Sequence, residues 1–426
     1  MSTQHLRFGD CATLVRSSIF PSDYPDEPYI ALEHIDQGQL SLNGYAFGRN
    51  ADSQKIRFSK GDILFGKLRP YFRKAVIAPF SGMCSTDIWV VRPKAGINRN
   101  FLFYWMASDL FVNHASDASE GTRMPRAKWD VVEKIKIPFI SSHSQQEVGS
   151  ILKTLDDRIA LLRETNSTLE AIAQTLFKSW FVDYDPVRAK KEGREPEGMD
   201  TDAAALFPDS FEESELGLVP QGWRVSSVYD LAQYINGAAY KAFTPNSEQK
   251  GLPIIKIAEL KAGVTSQTGF SEISMPLKYK INTKDILFSW SGNPDTSIDV
   301  FVWPHSEAWL NQHIFRVIPN TEQERSFVLL TLKYLMPVFA EIARNKQTTG
   351  LGHVTVADLK RLQVVRPCNI LLEKWNELVD PLLERAFIVM QQAQTLASIR
   401  DTLLPRLISG QLRLPEAEEI IEEVTA

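Results

Sequence analysis

The chain repeats itself. Four short runs return in the same order after about 225 residues. Pro28-Tyr-Ile-Ala-Leu-Glu33 is similar to Pro253-Ile-Ile-Lys-Ile-Ala258, and Asp62-Ile-Leu-Phe65 returns as Asp285-Ile-Leu-Phe288. Asp87-Ile-Trp-Val-Val-Arg-Pro93 is similar to His313-Ile-Phe-Arg-Val-Ile-Pro319, and Thr175-Leu-Phe177 to Thr402-Leu-Leu404. With 426 residues the chain is too long for one hydrophobic core, so a duplicated unit with a core in each copy is expected.

Both copies run through the same pattern. A front half of short apolar, β-branched or aromatic runs bounded by Gly and Pro (Ile56–Phe58, Asp62–Phe65, Ala75–Ile77, Ile88–Val91) reads as strands. A helical patch follows, Phe101 to Val112 in the first copy and Phe327 to Arg344 in the second. Next comes a polar loop carrying glycine, Ser119 to Arg126 and Gln347 to His353. A long amphipathic segment closes each copy.

In the first of these segments Val148, Leu152, Leu155, Ile159, Leu162, Asn166, Leu169, Ala173, Leu176 and Trp180 alternate at spacings of four and three. That is a coiled-coil stripe. The second carries Trp375, Val379, Leu382, Ala386, Val389, Ala393, Leu396, Arg400, Leu403 and Leu407 at the same places. Arg400 alone breaks the apolar pattern, and neighbouring Ile399 is expected to turn inward there. Pro381 is expected to kink the second helix or open its straight part. Each helix should run about 33 residues, roughly 50 Å at 1.5 Å per residue. The two most simply pack antiparallel, which would bring the polar Asn166 opposite the small Ala393 and set the register.

Charge is unevenly spread. The net charge is −5, yet Lys55 to Lys74 holds seven basic residues against the single Asp62. Glu192 to Glu215 holds nine acids against Arg194, and Glu416 to Glu423 adds five more. The acid lies in a linker and a tail, leaving the globular parts nearer neutral or basic, which permits a polyanionic partner. No apolar run reaches the roughly 20 residues of a membrane span, and the first residues lack a signal-peptide core. Three cysteines without a C-x-x-C pair argue against a disulfide framework or zinc knuckle and for a reducing cytoplasm.

Catalytic motifs are approached and missed. Gly61-Asp-Ile-Leu-Phe-Gly66-Lys67-Leu68 has phosphate-loop spacing, but Leu68 stands where a hydroxyl must reach Mg²⁺, and the run between the glycines reads as a strand. Asn293-Pro294-Asp295-Thr296 lacks the second proline and the aromatic of an adenine methyltransferase tetrapeptide. No glycine-rich loop for S-adenosylmethionine, no H-E-x-x-H and no nuclease pattern is present.

Three stretches carry a family resemblance. Thr168 to Val187, with Phe177-Lys-Ser-Trp180-Phe181 at its centre, resembles the central conserved region of type I restriction-modification specificity subunits. Leu206 to Gly217, ending in Pro220-Gln-Gly-Trp223, is similar to the linker that opens their second recognition domain. Ile399 to Gly410 is similar to their C-terminal conserved region. The resemblance implies an α/β fold of the α+β type, with two tandem pseudo-symmetric target-recognition domains and two long antiparallel coiled-coil helices. In these terms the chain divides into recognition domain 1 (1–143), a central helix (144–185), an acidic linker (186–222), recognition domain 2 (223–370), a C-terminal helix (371–412) and an acidic tail (413–426).

The resemblance further implies a non-catalytic subunit. Each domain would read one half of a bipartite, asymmetric site on double-stranded DNA, with the helices as a ruler. Two modification subunits would dock through Phe177, Trp180, Phe181, Leu404, Arg406 and Leu407, and two restriction subunits would complete the complex. No cofactor is expected on this chain; S-adenosylmethionine, ATP and Mg²⁺ belong to the partners. Phosphates call for Lys and Arg, and base edges for Arg, Asn, Gln, Ser or Thr on loops. The DNA-contacting candidates are Lys67, Arg69, Arg73, Arg123, Arg126 and Lys128 in the first copy. In the second they are Ser291, Asn293, Lys346, Gln347, Thr349 and His353, while Trp89, Trp290 and Trp309 read as core. Two other readings stay open: a methyltransferase or nuclease fused to its reader, and a repeat scaffold that never touches DNA.

Overall fold

A computed structural model describes residues 5–121, 123–138, 141–265, 267–347, 350–412 and 414–425. It divides into two compact units, and neither is continuous with the linear scheme above. Unit 1 comprises Met1–Leu162 and Gln392–Ala426, and unit 2 comprises Arg163–Gln391. Both long helices, Ser142–Phe181 and Asn369–Ile408, are therefore shared, half of each belonging to each unit. Each has 40 residues, roughly 60 Å and longer than expected.

The main sheet of unit 1 is four-stranded and antiparallel, in the order Ala12–Val15, Ile88–Pro93, Ile63–Gly66, Ala75–Ile77. Unit 2 repeats that order with Ala232–Asn236, Ile314–Pro319, Ile286–Ser289 and Asp299–Val302. A second sheet in each unit holds one parallel pair: Pro28–Ile30 with Gly82–Cys84, and Leu252–Ile255 with Ala308–Leu310. The second copies of the three strand-forming runs thus occupy the same places in the sheets as the first.

The turn that feeds the central strand shows why Asp-Ile-Leu-Phe recurs. Asp62 accepts the Ser59 amide at 2.8 Å, and Asp285 accepts the Asn282 amide at 2.7 Å. The residue before each aspartate is left-handed: Gly61 has φ 90° and Lys284 φ 72°. Glycine takes that conformation freely, whereas Lys284 is held in it by the surrounding turn. An arginine from the neighbouring strand then neutralises the carboxylate. Arg92 donates to Asp62 at 2.6 and 2.9 Å, and Arg316 to Asp285 at 3.1 Å.

After the sheets come two short helices per unit, Arg99–Ala107 with Asp109–Asp117 and Arg325–Tyr334 with Met336–Asn345. Asn98 caps the first, accepting the Phe101 amide at 3.0 Å, and Ser108 caps the second. Most apolar positions of the coiled-coil stripe are buried, Leu152, Ala173, Trp375 and Val389 fully so, while Leu169, Leu176 and Leu382 are half-buried. One expectation needs correction. Arg400 itself turns inward, 2% exposed, while Ile399 is only half-buried. The helix span continues through Pro381, which sits on an exposed face.

In unit 2 the last turns of the first long helix meet the first turns of the second. Trp375 lies 5.3 Å from Trp180 and 4.8 Å from Phe181, ring to ring. Such an end-to-start contact is what opposite chain directions produce. The acidic stretch from 186 to 222 is more than a tether: Val187 and Phe207 are buried in the same core, and Lys190 donates to the Ala204 carbonyl at 3.0 Å. Leu414–Thr425, expected as a tail, forms a helix with Ala417 buried. Among the described residues no single helix is long and apolar enough to cross a membrane.

Candidate nucleic-acid interface

At the end of strand Ile63–Gly66 the chain leaves the sheet, and its backbone fixes where the next side chains stand. The Lys67 amide donates to the Asp87 carbonyl and the Ala127 amide to the Lys67 carbonyl, each at 2.9 Å. Leu68 pairs with Arg126 in an isolated antiparallel bridge, and the Arg69 amide donates to the Pro125 carbonyl at 2.8 Å. The polar loop is thereby sewn to the sheet end. Lys67, Arg69, Arg123 and Arg126 come together on one rim.

Each of these cations has its own setting. Arg126 donates from Nε and Nη2 to the two oxygens of Asp87, at 2.7 and 3.1 Å. Arg69 adopts a left-handed backbone (φ 50°) and donates to the Arg123 carbonyl at 3.1 Å. Arg123 is exposed, and Lys128 pairs with Glu120 at 2.5 Å. Arg73 is set apart. It pairs with Asp109, and burial lowers its pKa while Asp401 works the other way and Arg400 adds to the lowering.

Unit 2 sews its loop with the same stitches. The Trp290 amide donates to the His313 carbonyl at 3.4 Å and the Val354 amide to the Trp290 carbonyl at 2.8 Å. Ser291 pairs with His353 and Gly292 with Gly352. Gly352 is required for this approach, since a Cβ there would lie 2.2 Å from the Ala343 carbonyl oxygen. Ser291 and His353 thus share one rim. Asn293, next along the chain, accepts the Asp295 amide at 2.9 Å, and Gln347 donates to the Gly350 carbonyl at 2.8 Å. Thr349 lies outside the described residues.

The expectation for tryptophans is met at Trp89 and Trp309, both 5% exposed, but Trp290 is only half-buried. Its indole Nε1 donates to Asn236 at 3.0 Å and its ring lies 5.8 Å from His313, whose Nε2 is 3.2 Å from Gln312. Asn236, Gln312 and His313 were not among the candidates. Their signal is topological: each flanks a strand end, which no local spacing shows.

Lys346 binds Asp358 at 2.5 Å, and Asp358 also accepts the Thr355 amide and hydroxyl. Burial would raise this carboxyl, but the bonds to Lys346 and Thr355 hold it below its ordinary 3.8. A depressed folded value means that the stabilisation is complete above pH 3.8 and disappears as pH falls through the folded value. Asp358→Asn should therefore differ most in stability from the parent at neutral pH, and the difference should shrink on acidification. Urea unfolding at several pH values measures this, and a difference independent of pH would contradict it.

Five of the six docking candidates are buried. Phe177, Trp180 and Phe181 are at most 5% exposed within the core of unit 2, packed on Trp375, Phe207 and Phe327, and Leu404 and Leu407 are buried as well. Aromatic side chains so enclosed hold the helices in place; of the six, Arg406 alone is exposed.

The two units share one fold, and each ends its main sheet in a rim of hydrogen-bonding side chains. The model of the type I restriction modification DNA specificity domain matches residues 10–171 and 220–368, one match per copy, and the chain belongs to this family. It is 26% identical over 402 residues to the type I restriction enzyme MjaIX specificity subunit of Methanocaldococcus jannaschii, covering 93% of this chain and 87% of that protein. It is also 26% identical over 415 residues to the HindI specificity subunit of Haemophilus influenzae, covering 84% and 88%. The crystal structure of the type I restriction-modification S subunit from M. genitalium has a similar fold, with a TM-score of 0.55 at 14% identity over 96% of each chain. The α/β class implied by the resemblance, with tandem recognition domains and long helices, holds.

Proposed function

We propose that this chain is the DNA-reading subunit of a type I restriction-modification complex, with unit 1 reading one half of a bipartite site and unit 2 the other. The observation that carries this reading is the pair of family matches, one in each copy, together with rims that share a backbone plan and differ in side chains. Different rims imply different half-sites. A duplicated reader on a fixed spacer is the single-chain counterpart of a dimer on two half-sites, where separation follows from geometry.

In this reading the long helices set the gap, with Asn166 and Ala393 as the register pair, and their outward faces receive two modification subunits. Leu161, Ile172, Ile370, Leu378 and Ile388 are exposed large apolar residues of these helices. S-adenosylmethionine, ATP and Mg²⁺ act on the modification and restriction subunits, and methyl transfer and cleavage are theirs. The complex works in the cytoplasm.

Inserting one heptad near Leu162, matched by one near Gln391, should lengthen the gap in the methylated site and keep both half-sites. Mapping methylated adenines in DNA treated with the complex reads this out. A changed half-site with an unchanged gap would overturn the ruler. Methyl transfer by the purified chain alone would favour a fused enzyme instead, and binding to neither DNA nor a modification subunit would favour a scaffold.

A further inference from the structure

The two rims coincide position by position. In unit 1 the residue after the central strand, Lys67, is bonded on one side to Asp87, at the head of the neighbouring strand, and on the other to the loop at Ala127. In unit 2 Trp290 is bonded in the same way to His313 and to Val354. The next residue, Leu68 or Ser291, pairs with Arg126 or His353. The cradle therefore equates Asp87 with His313, as the sequence repeat does, and Arg126 with His353, which no repeated run aligns.

What unit 1 places in this cradle is an oriented guanidinium. Asp87 takes the Nε edge of Arg126, at 2.7 and 3.1 Å through Nε and Nη2. A guanidinium has five N–H donors in a rigid plane. With the side edge engaged, the end edge still offers two parallel N–H groups from Nη1 and Nη2. The Arg126 side chain is 45% exposed and that of Asp87 22%. Two parallel donors from one plane match the O6 and N7 acceptors of guanine in the major groove, the pairing that distinguishes G·C from the other base pairs. A phosphate could take the same two donors, but such a contact carries no base preference, so base selection separates the two.

We infer that Arg126, held by Asp87, reads a guanine in the half-site of unit 1, and that the equivalent cradle of Ser291, His313 and His353 reads a base of the other half-site. Asp87 is a positioning residue acting through Arg126. Unit 2 has neither the arginine nor the acid at these places, so its reading chemistry is different. This inference rests on the proposed DNA-reading role.

The test uses the full chain assembled with its modification subunits and duplexes randomised over both half-sites, scored by methylation and sequencing. The unaltered complex comes first: failure to select a bipartite site would overturn the DNA-reading role itself. Given a selected site, Arg126→Lys keeps the charge and the pairing with Asp87 but loses the parallel donors. Selection for G at one position of one half-site should fall about 5- to 150-fold, with the other half-site unchanged. Asp87→Asn should weaken the same position by less, and His353→Ala should alter only the other half-site. The inference is overturned if Arg126→Lys leaves the selection intact, if it weakens every position alike, or if the affected half-site contains no guanine.

Discussion

Replacing Arg400 with alanine should destabilise unit 1 by about 3 kcal/mol, the lower end of the range for breaking a buried ion pair by removing one partner. Arg400 sits in the buried stripe of the second long helix and is 2% exposed. It donates to Asp156 of the first long helix at 2.6 Å, and Asp156 also accepts the Tyr104 hydroxyl at 2.6 Å. Burial works against the charge on Arg400, but Asp156 and Asp401 outweigh it and raise its pKa. Burial, with the neighbouring Asp156, also pushes the Tyr104 hydroxyl up, so it stays a donor at all ordinary pH. Alanine would leave Asp156 half-enclosed with only that hydroxyl. The side chain of Asp156 is 19% open to solvent, which keeps the expected loss from being larger. Denaturant unfolding of the parent, Arg400→Ala and the double variant Arg400→Met with Asp156→Asn measures this. The double variant should recover most of the loss, because an apolar side chain can replace a buried pair when both charges leave together. A loss under about 1 kcal/mol for Arg400→Ala, the range of exposed pairs, would refute the argument.

The second large effect is expected at Trp375. Its side chain is fully buried against Phe177, Trp180 and Phe181, with ring centroids 6.2, 5.3 and 4.8 Å away. Trp375→Ala should cost unit 2 about 3–5 kcal/mol, through lost burial and the cavity left behind. Trp375→Phe should cost clearly less. Its smaller ring leaves some void, but it also removes an indole N–H that is buried without a hydrogen-bond partner. Both losses should appear in the chain without any partner subunit. If Trp375→Ala unfolded like the parent when alone and differed only in the complex, these aromatics would be docking residues after all.

The comparison shows what a linear string can reveal. Apolar spacing located most of the buried face of both helices, because a 3.5-residue period is a local property. It failed at Arg400, where burial is enabled by an acid 244 residues away. That Phe177, Trp180 and Phe181 pack within unit 2 was not legible either, since an aromatic stripe looks alike whether its cover comes from the same chain or another. The duplicated strands were legible from Asp-Ile-Leu-Phe and its neighbours. The rims were legible only in part: Lys67, Arg69, Arg123 and Arg126 were found by charge, whereas Asp87 was missed because an acid argues against DNA until its partner is seen. Likewise Asn236, Gln312 and His313 gather around Trp290 through sheet topology alone.

The composite make-up of unit 1 has a temporal side. Residues 163–391 form unit 2 from an unbroken stretch, so it can be complete while the remainder of the chain is still being made. Unit 1 begins first and finishes last, because Gln392–Ala426 close it. Until Arg400 leaves the ribosome, Asp156 and Tyr104 lack their cation and the stripe of Leu152, Leu155 and Ile159 lacks its cover. Domains generally fold in order of synthesis, and here the order is nested, the earlier domain enclosing the later. A truncation that removes only the last 30 residues or so would therefore injure the domain encoded at the opposite end of the message.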